Sequence, residues 1–257
     1  MEIILVSLAA FLAAILTFFS GFGLGTILTP VFLIFFPVDL AIALTGLVHF
    51  CNNIFKLFLV GKNARLSVLL RFGIPAVCAA ALGAWVLLRL PIQTTLYAYD
   101  LYDHSYDVSP VEFVIALFLL IFAVFDLHPG LRSIHFDKSK LVIGGLLSGF
   151  FGGLSGHQGA LRSAFLIKSG LSKEAFIGTA VVISSCVDFS RLMVYSTRFM
   201  DASLLEYKGL MIIATISAVT GAYIGNTMLK KLTLAFIRNF VAVLLIVLSL
   251  ALGLGFL

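Results

Sequence analysis

Four cations sit inside otherwise apolar stretches of this chain: Lys56, Arg71, Arg162 and Arg191. A cation at the centre of a hydrocarbon layer costs at least about 2.5–3.5 kcal/mol, so each needs a partner, a polar cavity or a route to the interface. Arg71 and Lys56 lie near helix ends, where a long side chain can snorkel to the headgroups. Arg162 has no such exit. It follows Ser155-Gly156-His157-Gln158-Gly159, a glycine-rich break in an apolar run. A half-helix starting near Gly159 aims its free N–H groups and positive dipole end into that break. Arg162, one turn in, adds a full charge, and His157, Gln158 and Ser155 add directional groups. This chemistry suits a small oxyanion: a sulfonate, sulfite or carboxylate. The competing reading is a structural turn in which Arg162 satisfies loop carbonyls.

Two polar stripes accompany the break. Ser184, Asp188, Arg191 and Tyr195 recur at helical spacing and share one face. His49, Asn53 and Lys56, with Asn52 beside them, repeat that spacing on an earlier apolar segment. Two such stripes predict a common polar interior in which Arg191 and Arg162 coordinate an anion and Asn52 and Asn53 donate hydrogen bonds. Asp188 and Arg191, at i and i+3, can instead form a satisfied ion pair that only holds the bundle together. His49 is the one stripe residue able to titrate near neutral pH, which could couple transport to protons.

Other chemistries lack their signatures. Ser155 is not flanked as a G-x-S-x-G nucleophile elbow, and no G-x-x-x-x-G-K-[ST] loop is present. Cys51, Cys78 and Cys186 show no metal-ligand spacing and are expected to be small packing residues. Tyrosines 97, 99, 102 and 106 with Asp100, His104 and Asp107 are expected to form an aromatic loop anchored at the interface. Neither an enzyme, a metal site nor a cofactor is expected.

The elements that must position these residues follow from composition. Of 257 residues, 61% are hydrophobic and 11% charged, against about 25% charged in soluble domains. A single core cannot hide so much apolar surface, whereas a bilayer can solvate it. The net charge of +5 is small and confined mostly to loops, which argues against nucleic acid as a partner. Full-length apolar segments are expected at 3–19, 40–60, 67–90, 111–127, 174–195, 208–229 and 233–257, each near the length that crosses about 30 Å of hydrocarbon. The first lacks a positive leading region and is read as a retained membrane segment rather than a signal peptide. Segments 18–37 and 141–170 are glycine-rich and followed by short apolar pieces, and are expected to be broken, re-entrant hairpins.

The breaks hold equivalent places in two halves. Phe32-Leu33-Ile34 recurs as Phe165-Leu166-Ile167, Thr45 as Thr179, and Gly83-Ala84-Trp85 as Gly221-Ala222-Tyr223, in unchanged order. A duplication follows. One set of loops holds Lys62, Arg65, Arg132, Lys138, Lys140, Lys168, Lys173, Lys230, Lys231 and Arg238, whereas loop 91–110 holds Asp100, Asp103 and Asp107 without Lys or Arg. The positive-inside rule makes the first set cytoplasmic and both termini extracytoplasmic. The expected fold is therefore an all-α polytopic membrane protein of one membrane domain, 1–257. It contains two inverted-topology repeats, about 1–127 and 141–257, joined by a cytoplasmic loop at 128–140. Each repeat is a glycine-broken helical hairpin plus three transmembrane helices. Secondary transporters share such architecture, with the site near the midplane at the repeat interface.

The first-half pattern Ser20-Gly21-Phe22-Gly23-Leu24-Gly25-Thr26 … Pro30, with Ala43-Leu44-Thr45 on the next span, resembles the TauE/SafE sulfite exporter family of membrane permeases. Gly152-Gly153-Leu154-Ser155-Gly156 … Phe165-Leu166 with Gly178-Thr179-Ala180 is similar to that family's second copy, and the resemblance covers essentially the whole chain. It implies transport of a small sulfur-containing or other organic anion across the cell membrane, usually outward. The expected carrier is a secondary transporter working by alternating access, in which the half-helix ends near Gly25 and Gly159 join Arg162 and Arg191 in coordinating the anion. Where the family's second break is commonly almost pure glycine before a proline, this chain has Ser155-Gly156-His157-Gln158-Gly159-Ala160-Leu161-Arg162, with Ala164 near the proline position. Polar side chains thus replace bare backbone there. An anion channel of the same fold is the alternative.

Overall fold

A computed structural model of the chain describes residues 2–18, 23–91, 94–102, 104–128, 130, 136–167, 169–199, 206–228 and 234–256. Ser20, Gly21 and Phe22 of the first break, Asp103, and the loop cations Arg132, Lys168, Lys230 and Lys231 lie outside the described residues.

The helices are α1 (Glu2–Thr17), α2 (Gly25–Leu33), α3 (Val38–Val60), α4 (Leu66–Arg89), α5 (Pro110–Leu127), α6 (Leu141–Ser155), α7 (Gly159–Leu166), α8 (Lys173–Phe199), α9 (Lys208–Met228) and α10 (Leu234–Gly253). Their ends carry readable stops. Pro37 stands in extended backbone before α3. Ser109 and Glu112 close a reciprocal capping box on α5, with Pro110 in its first turn. Ser172 accepts from the Ala175 N–H at the start of α8. α6 stops because Gly156 adopts φ +81°, the left-handed cap that glycine takes without a Cβ clash.

Among the described residues, four helices are long and apolar enough to cross a membrane: Val38–Asn63, Leu66–Arg89, Lys173–Thr197 and Lys208–Thr227. The apolar stretches expected at 3–19, 111–127 and 233–257 are helical at Glu2–Thr17, Pro110–Leu127 and Leu234–Gly253. Loop 91–110 contains a hairpin of β1 (Tyr97–Leu101) and β2 (His104–Val108), antiparallel with Tyr97 opposite Val108. Tyr97 and Tyr99 donate their hydroxyls to the Gly253 and Leu254 carbonyls, which ties the hairpin to the end of α10.

Packing is led by α4 on α6, α1 on α9, α5 on α10, α3 on α8, α4 on α8 and α3 on α9. Glycine makes the closest of these possible. A Cβ at Gly145, Gly149 or Gly153 of α6 would lie 2.3, 2.0 and 2.0 Å from the Phe72, Ala76 and Ala80 carbonyl oxygens of α4. On α9 a Cβ at Gly221 would lie 2.3 Å from the Phe11 carbonyl of α1. Backbone against backbone is how membrane helices associate when lipid is as apolar as their side chains. The outer surface is apolar, with Leu8, Leu12, Trp85, Ile216 and Val247 exposed, as a lipid-facing surface must be. Two cysteines depart from the packing role expected of them. Cys78 and Cys186 are on that outer surface, beside the apolar groove between α4 and α8, and Cys51 is half-buried.

Candidate functional site

The charge is inside. Among the described residues the buried charged side chains are Lys56, Arg162, Asp188 and Arg191, with His49, His157, Asn52, Asn53 and Gln158 buried around them. α3 and α8 pack side by side and turn their polar stripes toward each other, and α7 brings Arg162 alongside.

Asp188 is the hub. Its Oδ2 accepts from His49 Nδ1 at 2.6 Å and from Asn53 Nδ2 at 2.9 Å. Its Oδ1 accepts from Arg191 Nη2 at 2.8 Å, Arg191 Nε at 3.1 Å and Gln158 Nε2 at 3.4 Å. A buried carboxylate needs this many donors to replace its water. Because the carboxylate can only accept, the His49 proton sits on Nδ1, leaving Nε2 beside Gly23, where an added Cβ would be 3.1 Å away. Arg191 is wholly buried between two glycines: a Cβ at Gly46 would meet its Cζ at 3.3 Å, and one at Gly156 its Nη1 at 3.2 Å. Nη1 also points at the Gly152 carbonyl, 3.5 Å away. Below it on α8, Tyr195 donates to the Gly153 carbonyl.

The second break folds around its own polar groups. His157 donates from Nδ1 to the Ser155 carbonyl at 2.9 Å and stacks on Phe122. Ser155 donates to the Phe151 carbonyl one turn back, and Ser148 donates to the Gln158 carbonyl. Gly159 opens α7, and the Arg162 N–H returns to the Gln158 carbonyl at 3.0 Å. The two breaks meet: a Cβ at Gly25, the first residue of α2, would lie 3.4 Å from the Gly156 carbonyl oxygen.

A cavity of about 30 Å³ lies beside the Asp188 cluster, and its polar lining is Thr17, His49, Asn53, Lys56, Arg162 and Ser184, with Gly23 on the wall. Arg162 donates through Nη1 to Ser184 Oγ on its wall. Of the nine residues singled out in the sequence, Asn53 and Arg162 line this cavity. Arg191 and Gln158 contact Asp188, His157 and Ser155 shape the break, and Gly25 and Gly159 start the two half-helices. Asn52, with its amide turned to satisfy both neighbours, donates to the Ala218 carbonyl at 3.2 Å and accepts from Lys56 Nζ at 3.3 Å.

Lys56 is the residue that sequence reasoning placed wrongly. It does not snorkel: it is 5% exposed, and its ammonium stands over the Phe18 ring, 5.3 Å from the centroid. The end of α3 is covered by α8, where Gly178 approaches the Val60 carbonyl so closely that a Cβ would be 2.5 Å away. The polar stripe already pointed inward, since it puts Lys56 on the face of His49 and Asn53, and it outweighs nearness to the helix end. Arg71 is exposed, as a snorkelling side chain is.

Among known families, the model of the sulfite exporter TauE/SafE matches residues 6–252 of the chain. No curated protein and no solved structure matches it.

Proposed function

This chain belongs to the sulfite exporter TauE/SafE family, a family of multi-pass membrane transporters, and from that premise we propose that it carries a small sulfur-containing oxyanion, sulfite or a sulfonate, outward by alternating access. The observation that carries the reading is the cavity between Lys56 and Arg162, two cations buried inside an apolar bundle. A protein interior tolerates such charge when it has a purpose and an occasional counter-ion.

Arg162 and Lys56 are the charged contacts of the substrate in this reading, and Ser184 and Asn53 its hydrogen-bonding contacts. Arg191, His157, Gln158, Ser155, Asn52, Gly25 and Gly159 position those contacts and the half-helix ends. The two inverted repeats, 1–127 and 141–257, are supported by reciprocal packing. Exchanging α1–α5 with α6–α10 turns α1 on α9 into α6 on α4 and α3 on α9 into α8 on α4, and leaves α3 on α8 and α5 on α10 unchanged. With the basic loops cytoplasmic and both termini outside, the cavity lies in the cytoplasmic half, as loading for export requires.

The test is counterflow of labelled sulfite and of a labelled sulfonate in proteoliposomes. Saturable exchange is expected, lost in Arg162→Ala and weakened in Arg191→Ala while both variants stay folded. Flux without exchange would make the protein a channel, and no exchange of any anion would refute transport by this site.

A further inference from the structure

Independently of where the transported anion binds, we infer that the crevice between α4 and α8 holds one anionic phospholipid, with its phosphate on Lys62 and Arg65 and an acyl chain between the two helices. Two hollows carry the inference, each of about 280 Å³. The first is polar. It lies where the α3–α4 connection meets the start of α8, and it offers Lys62, Arg65, Asn63 and Ser172 beside one carboxylate, Glu174. Lys62, Arg65 and Ser172 are exposed. Ser172 Oγ accepts the Ala175 N–H, which leaves the hydroxyl proton to donate. The backbone of Arg65 is fixed against α8, since its N–H donates to Thr179 Oγ1 at 2.9 Å. Two cations and a hydroxyl beside a single carboxylate suit a phosphodiester, which carries one negative charge and accepts hydrogen bonds at its oxygens.

The second hollow is apolar and runs down the same crevice. Leu69, Leu70 and Ile74 of α4 face Val182 of α8 across it, with Cys78 and Cys186 further along. Local structure opens it: Leu69–Gly73 is a π-helical turn, and Gly73 brings no side chain to fill the space beside Ile183. Ala175, which lines the polar hollow, shares a face of α8 with Val182 and Cys186, which line the apolar one. From Ala175 to Val182 the helix climbs about 10 Å, more than the roughly 5–8 Å of one headgroup layer. The polar hollow therefore stands at headgroup level, and the groove lies within the hydrocarbon. Leu70, Ile74 and Cys78 are exposed there, so acyl chains are what they meet. Lipid tails are as apolar as these side chains, so the groove supplies shape without selectivity. The choice of lipid falls to the two cations at its mouth.

The test is native mass spectrometry of the whole purified protein, titrated with phosphatidylglycerol, phosphatidylethanolamine and phosphatidylcholine of matched chains. One phosphatidylglycerol should bind about tenfold or more tightly than either zwitterionic lipid, since each cation at an anionic headgroup contributes roughly fivefold. Lys62→Gln with Arg65→Gln should erase that preference, whereas Arg89→Gln, at the opposite end of α4, should keep it. Cys186→Trp fills the groove from an exposed position and leaves both cations in place, and it should weaken phosphatidylglycerol severalfold. Glycerol 3-phosphate at the same concentration should not displace the lipid. Equal retention of the three lipids by the native protein overturns the inference. So does a preference that survives the loss of both cations, or one that Arg89→Gln abolishes as well. Unchanged binding in Cys186→Trp overturns it too, as does displacement by glycerol 3-phosphate, which would make the polar hollow a site for free phosphate. The native comparison needs no variant and decides even where a substitution impairs folding. No readout here depends on anion exchange, so failure of the transport reading and failure of this inference are separate results.

Discussion

His49 Nδ1 lies 2.6 Å from Asp188 Oδ2, a contact that ties α3 to α8 across 139 residues of sequence. Asp188 also holds Arg191 on its other oxygen. The polar interior therefore divides into a self-neutralised cluster around Asp188 and an adjoining cationic cavity around Lys56 and Arg162. His49 and Asn53 belong to both, so the cluster fixes one wall of the cavity.

Removing the hub should be costly. Asp188→Asn leaves Arg191, with no exposed surface, without its counter-ion. Breaking a buried pair this way costs about 3–5 kcal/mol. A marked fall in the detergent-solubilised melting temperature is expected. Asp188→Asn combined with Arg191→Met, which removes both charges, should recover most of it. A double variant as unstable as the single one would show that Asp188 acts through something other than this pair.

The α4–α6 contact predicts a steep response to one methyl group. Alanine at Gly149 or Gly153 places a Cβ 2.0 Å from a carbonyl oxygen of α4, and no side chain can yield there because the obstacle is backbone. Overpacking of this kind costs about 1–3 kcal/mol or more. Gly209, with nothing within 4 Å of an added Cβ, is the control. Folded yield by fluorescence-detected size exclusion should drop for the first two variants and stay unchanged for Gly209→Ala.

What the sequence revealed, and what it withheld, follows from the range of each interaction. Glycine density marked the break at 156–159, and helical spacing placed Asp188, Arg191 and Tyr195 on one face, because both are local properties of a helix. Whether Arg191 meets substrate or Asp188 is not local. The same i, i+3 spacing serves either, and the choice depends on Gly46 and Gly156 closing around the guanidinium. Lys56 read as a snorkelling side chain because its distance from the end of α3 is local, while the α8 helix that covers that end is remote in sequence. The hairpin at 97–108 escaped notice because neither strand buries a full face against a core. Hydroxyl bonds to α10 hold it instead.

Those hydroxyls give a mild, localised prediction. Tyr97 and Tyr99 supply donors to the Gly253 and Leu254 carbonyls, two of the acceptors that a helix C-terminus leaves open. Tyr97 is exposed and Tyr99 half-buried at the surface, so their replacement by Phe should cost toward the lower end of about 0.5–1.5 kcal/mol per bond. Hydrogen exchange should quicken at 252–256 in the double Phe variant, with anion exchange nearly unaffected. Unchanged protection there would mean that the edge-to-face contact of Tyr106 with Phe256 holds the hairpin to α10 without them.

The direction of transport depends on orientation, which labelling can decide. The cavity is lined by Lys56, one turn from the end of α3, and by Phe176 and Ile177, in the first turns of α8. It therefore lies toward the end of the bundle that carries Lys62, Arg65 and Lys173, away from the hairpin. In a background with Cys51, Cys78 and Cys186 replaced, single cysteines at Tyr102, 90% exposed in the hairpin, and at Lys138, exposed before α6, report the two ends. A membrane-impermeant maleimide should label Tyr102→Cys on intact cells and Lys138→Cys only after permeabilisation. That result puts the cavity on the cytoplasmic side, where an exporter loads. The reverse pattern would open the Lys56–Arg162 cavity to the exterior, and the same site would then load a substrate for uptake.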